Sequence, residues 1–310
     1  MNRASEPSSA VSRVPGMITK RPVRGLLPYL ALGFGVIALG MSAILVKWAN
    51  APGAVSGFYR MGIAAAVLAA PFGVQVYRRG RPSMRHMLFA ALGGVFFALD
   101  LASWNTALLI TSAASATFLG SSSPLWVGIG TLVLFRRKLG SAFWGGTLLA
   151  TFGAVIILGR DFMLHPDFGR GDLLGVAAGF FYGMFFLAAE RAREKLTALA
   201  ALWISVFSSM AVLLGLSLLW GQPLTGYPPQ TYYSLIALAL WVQVVGWFVI
   251  NYALGHMPAS IVSTTLLGQP VLTAILAVPL LEQPLGFIQT CGGAITLAGI
   301  LVAHRFSARS

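Results

Sequence analysis

Ten apolar stretches run through this chain, each close to the ~20 residues a helix needs to cross a hydrocarbon core. They fall at roughly 28–48, 54–77, 86–109, 112–135, 141–159, 171–190, 197–220, 231–254, 258–281 and 285–304. Such a chain has few structural options. Inside a bilayer no water meets the backbone N–H and C=O groups, so each stretch must satisfy them internally as a helix. The expected fold is an all-α integral membrane protein with ten transmembrane helices. Charge agrees: Asp, Glu, Lys and Arg make up 9% of the residues, against about 25% in soluble domains.

The net charge of +13 could suggest a nucleic-acid partner. The distribution of that charge argues against one. The basic residues sit in short clusters between apolar runs: Arg78, Arg79, Arg81 and Arg85; Arg136, Arg137 and Lys138; Arg191, Arg193 and Lys195; Arg305 and Arg309. With the N-terminal Arg3, Arg13, Lys20, Arg21 and Arg24, they all fall on one side of the membrane when the spans alternate. Cytoplasmic loops carry that excess of Lys and Arg. Both termini are therefore expected in the cytoplasm, in a multi-pass protein of the inner (plasma) membrane. Residues 1–27 lack an apolar core ahead of the first span and read as a disordered cytoplasmic tail, not a cleavable signal. Cys291 is the single cysteine and the four histidines have no ligand spacing, so neither a metal nor a cofactor is expected.

A shift of 146 residues lays the chain on itself. Asn105, Ala107 and Leu108 fall on Asn251, Ala253 and Leu254; Pro124 falls on Pro270, Gly146 on Gly292, and Gly153 on Gly299. The chain then divides into a first five-helix repeat at 28–159, an outside loop at 160–170 and a second five-helix repeat at 171–305. Five spans is an odd number, so the second repeat is inverted relative to the first. Inverted repeats mark alternating-access carriers, whose substrate sits near the midplane between the halves.

Charges inside spans are costly and mark functional candidates. Asp100 lies within the third stretch and Arg60 within the second, at similar depth. Asp100 is a candidate for a substrate amine or a coupling proton, and Arg60 for a carboxylate. A structural ion pair of Asp100 with Arg60 or Lys47 is the alternative, and Lys47 can also snorkel to water. Gln243, Trp247 and Asn251 recur at i, i+4 and i+8, which puts them on one helix face. Trp104 and Asn105 lie on or beside the matching face of the third stretch, together with Phe97 and Leu101. These residues, with Tyr182, could line an aromatic and amide-rich cavity for a small-molecule substrate. Asn105 and Asn251 could instead bond helix to helix. Pro124 and Pro270 interrupt equivalent spans and read as hinges or kinks, with Gln269 as a polar ligand beside the second. The glycine pairs in the fifth and tenth stretches read as packing faces, within a monomer or between two copies in a homodimer. Asp172 reads as a helix cap, and Glu190 to Lys195 as a solvated inside loop.

The chain resembles the drug/metabolite transporter superfamily and, within it, the EamA family of ten-span carriers. Ala107-Leu108, Thr111-Ser112-Ala113 and Pro124 carry the resemblance, with a second copy at Ala253-Leu254 and Pro270 and a closing Glu282 and Gly292-x6-Gly299. It departs from the family pattern at Gly40 and Arg136. The resemblance implies export or facilitated exchange of amino acids or related metabolites. No Walker A motif supports ATP-driven pumping. An intramembrane enzyme built on Ser121 to Ser123, or a channel, stands as the alternative. The enzyme lacks a nucleophile elbow and a histidine at matching depth, and the channel lacks charged rings or a carbonyl filter.

Overall fold

A computed structural model describes residues 25–110, 119–164, 169–281 and 286–307. These residues are helical throughout apart from short connections, and no strand occurs among them. Span 1 is Leu27–Gly40 with Ser42–Ala49, span 2 Gly53–Arg79 and span 3 Met84–Ile110. Span 4 is described from Ser123 to Phe135, and span 5 is Ser141–Leu164. Span 6 is Arg170–Ala192 and span 7 Ala198–Leu219. Span 8 joins Pro229–Ala237, Leu238–Gly246 and Trp247–Leu254. Span 9 joins Ala259–Thr265, Leu266–Gly268 and Gln269–Leu281, and span 10 is Phe287–Ser307. Eight of these are long and apolar enough to cross a membrane. The stretches Ser123–Phe135 and Ser141–Ile157 are apolar but shorter. The protein is an all-α integral membrane protein. The N-terminal tail, Thr111 to Ala113 and Glu282 lie outside the described residues.

Packing follows the repeat. Exchanging the halves turns span 3 into 8, 4 into 9 and 6 into 1. Span 3 packs on span 6, and span 8 on span 1; span 4 packs on span 6, and span 9 on span 1. Spans 2 and 7, which the exchange swaps, pack on each other, and so do spans 5 and 10. That is the contact pattern of two halves related by a two-fold axis. The repeat is also visible in helix ends. Ser123–Phe135 and Gln269–Leu281 start and stop at the same 146-residue offset.

Spans 5 and 10 meet through their glycines. A Cβ at Gly146 would lie 2.7 Å from the Gly299 carbonyl oxygen, and one at Gly292 would lie 2.8 Å from that of Gly153. Real side chains cannot approach so closely, so only glycine allows these backbones to touch. Lipid offers no hydrophobic drive for helices to associate, which leaves close packing of this kind to hold them together. The small-residue stripes left open by the sequence are thus used within one chain.

Several spans are not continuous α-helices. Span 1 bends at Met41, where Thr273 of span 9 donates its hydroxyl to the Gly40 carbonyl at 2.7 Å. A side chain inserted into the helical ladder is a known source of such bends. Pro124 and Pro270, expected to interrupt spans 4 and 9, each stand as the second residue of a helix. Proline has no N–H to give and is tolerated in a first turn. A three-residue 3-10 stretch, Leu266–Gly268, precedes Gln269. Span 8 carries a nine-residue π-helical stretch, Leu238–Gly246. π-bulges are rare and occur frequently at functional sites.

Candidate functional site

The π stretch turns Gln243 toward span 2. Gln243 is 1% exposed, and its Oε1 accepts from Arg60 Nε at 2.9 Å. Arg60 Nη1 reaches Ser42 Oγ at 3.3 Å, just past the bend in span 1. A buried guanidinium needs partners for its five donors. Two donors are accounted for by neutral oxygens, and Nη2 makes no hydrogen bond among the described residues. The guanidinium is held in place without being neutralised.

Asp100 is buried on span 3. It lies near enough to Arg60 for the two charges to attract, yet no ion pair joins them among the described residues. The alternative of a tight Asp100–Arg60 pair is therefore not what the side chains form. The Lys47 side chain lies outside the described residues. Tyr182 of span 6 enters the same layer: its hydroxyl lies beside the Gln269 side chain, with Asp100 and Arg60 in electrostatic range. Spans 1, 2, 3, 6, 8 and 9 thus send polar groups to one place, three from each half.

An aromatic wall backs these groups. Trp247 is 1% exposed. Its ring lies 5.0 Å from Phe97, 5.1 Å from Phe185 and 6.2 Å from Tyr182. Edge-to-face pairs at such distances are favoured by the ring quadrupole. The Trp247 indole N–H has no hydrogen-bond partner among the described residues. A buried donor left bare is costly, so it calls for a water or a ligand.

The remaining expected residues lie apart from this cluster or are engaged elsewhere. Asn105 Nδ2 donates to the Gly53 carbonyl at 3.1 Å, tying span 3 to the start of span 2. Asn251 Nδ2 donates to Trp247 O within its own helix at 3.0 Å. Trp104 lies over Gly120, ahead of Pro124. Asp172 caps its helix by accepting from Gly169 N at 2.8 Å.

The expectation of a solvated 190–195 loop is wrong at its first residue. Glu190 is 2% exposed. Its Oε1 accepts from Arg137 Nη1 at 3.1 Å, and Oε2 accepts from the Ala259 N–H at 2.7 Å. One carboxylate so joins the end of span 6, the turn after span 4 and the start of span 9. Arg191 covers the Phe135 ring at 4.1 Å beside it. Arg193 is engaged as well, donating to Leu196 O and to Asn251 O. Burial pulls its guanidinium down to about 10, so it stays charged at neutral pH. A run of five charged and polar residues reads as solvent-facing; only the neighbouring spans reveal which of them turns inward.

Residues 169–304 match the EamA-like transporter family, which bears out the resemblance seen in the sequence. An "uncharacterized transporter" of Archaeoglobus fulgidus is 29% identical over 261 residues, 78% of this chain and 84% of the relative. A second transporter of that organism is 26% identical over 228 residues, 73% of this chain and 78% of the relative. A solved crystal structure shares the fold, with a TM-score of 0.74 at 18% identity, over 91% of this chain and 98% of the other. These matches make residues 169–304 similar to a transporter family and most of the chain similar to proteins named as transporters.

Proposed function

Taking residues 169–304 as an EamA-like transporter unit, we propose that the chain is a secondary carrier without enzymatic activity. It moves small metabolites, amino acids or related zwitterions, across the cytoplasmic membrane by alternating access, with both termini in the cytoplasm. The single observation that carries this reading is the buried, un-neutralised Arg60 with Nη2 donors to spare. A substrate carboxylate would complete its fork through charge-assisted hydrogen bonds. Asp100 would take the amine of the same substrate, and Trp247, Tyr182 and Phe97 would enclose its side chain. Gln243 and Ser42 orient the guanidinium, and Gln269 orients the Tyr182 hydroxyl. The interruptions in spans 1, 4, 8 and 9 supply places where short helical pieces can tilt as access alternates.

The test is counterflow. The purified protein is placed in liposomes loaded with one unlabelled amino acid, and entry of the labelled compound is followed for a panel of amino acids. Entry above protein-free liposomes for at least one compound, lost in Arg60→Lys, is the expected result. If no amino acid exchanges while other metabolites do, the substrate assignment fails and the carrier stands. Steady, unsaturable flux that needs no internal substrate would replace the carrier with a channel.

A further inference from the structure

The geometry points to an anionic phospholipid site where the end of span 2, the start of span 7 and span 8 enclose a groove. The groove holds about 410 Å3, within the range of about 300–1,000 Å3 typical of small-molecule sites. Its two ends differ chemically. Arg78 and Arg79 stand at the mouth, in the last turn of span 2. Neither makes an ion pair among the described residues. Gln75 and Thr197 form a polar shoulder below them, joined by a 2.7 Å hydrogen bond from the Thr197 hydroxyl to Gln75 Oε1. Val74, one turn before Arg78 in span 2, and Phe248 of span 8 also line the groove as its apolar part and are 52% and 40% exposed.

A soluble anion could use the rim and would gain nothing from that apolar floor. A zwitterionic lipid could fill the floor but would bring no net charge to two adjacent guanidiniums. An anionic phospholipid satisfies both, with its phosphate on Arg78 and Arg79 and the upper part of one acyl chain along Val74 and Phe248. Basic pockets between membrane helices suit such headgroups, and each Arg near the surface contributes about 1 kcal/mol of attraction to them. This site is remote from the Arg60 cluster, and its test does not depend on transport.

Full-length protein is equilibrated in micelles holding equal amounts of dioleoyl phosphatidylglycerol and dioleoyl phosphatidylcholine. Retained lipid is counted by native mass spectrometry. The expected result is one phosphatidylglycerol held about tenfold over phosphatidylcholine. Arg78→Gln with Arg79→Gln should bring the two lipids to parity. Arg81→Gln with Arg85→Gln removes the same charge from the connection to span 3 and from the first turn of span 3, outside the groove's lining, and should leave the preference intact. Excess inorganic phosphate should not displace the lipid. Parity in the unaltered protein overturns the site, as does equal loss in both double variants. Displacement by phosphate would make the rim a free-anion site and overturn it too.

Discussion

At the scale of single residues, the buried Arg60 guanidinium rests on two neutral oxygens, from Gln243 and Ser42. Arg60, Asp100 and Gln243 stand out in the sequence because polar groups inside apolar stretches are rare. That Arg60 takes Gln243 and Ser42 as partners, with Asp100 held off, depends on a π stretch and a bend that hydropathy does not register. Gln243→Leu removes one acceptor from a buried charge and should cost about 1–3 kcal/mol, read as a lower melting temperature in detergent. Counterflow should fall with it. Arg60→Lys keeps the charge and loses the planar fork; labelled substrate entry should drop at least tenfold while the melting temperature moves less than in Arg60→Ala. Glu190→Gln keeps the shape of the carboxylate but weakens its bonds to Arg137 and Ala259. A loss of about 1–3 kcal/mol is expected, and no loss in a melting experiment would make that junction idle.

At the scale of elements, each of the ten stretches is largely helical over its described residues, because the bilayer requirement acts on each separately. Their ends could be read from the loop charges and prolines. Their internal breaks could not, because hydropathy holds no record of contacts between spans such as Thr273 on the Gly40 carbonyl and Arg60 on Gln243. The glycines offer a clean test of packing. Gly145 has open space around it, and Gly146 abuts Gly299. Gly145→Leu should therefore be silent. Gly146→Leu should force spans 5 and 10 apart and cost about 3 kcal/mol or more, since overpacking already costs 1–3 kcal/mol where neighbours can yield. Monodispersity on gel filtration and the melting temperature measure both variants; equal behaviour of the two would remove the glycine contact as a stabilising feature.

At the scale of the whole molecule, the 146-residue repeat carried more than any single motif. The packing of span 3 on 6 and of span 8 on 1 has the symmetry that such a repeat implies. Residues that no repeat partner echoes, such as Glu190 and its contacts, escaped it. Because much of the contact between the halves is made by paired helices, a cut between Leu164 and Arg170, past the end of span 5, should not destroy the protein. Halves 1–164 and 165–310, made together, should co-purify and bind each other, whereas a Gly146→Leu first half should come through a pull-down alone. The same glycine seam also sets a schedule for biosynthesis. Span 5 enters the membrane with a bare notch of backbone along one side, and the backbone that fills it belongs to span 10. The notch stays open to lipid through the making of four more spans. It closes only when span 10 leaves the ribosome, so the earliest half of the protein waits on the latest helix to become complete.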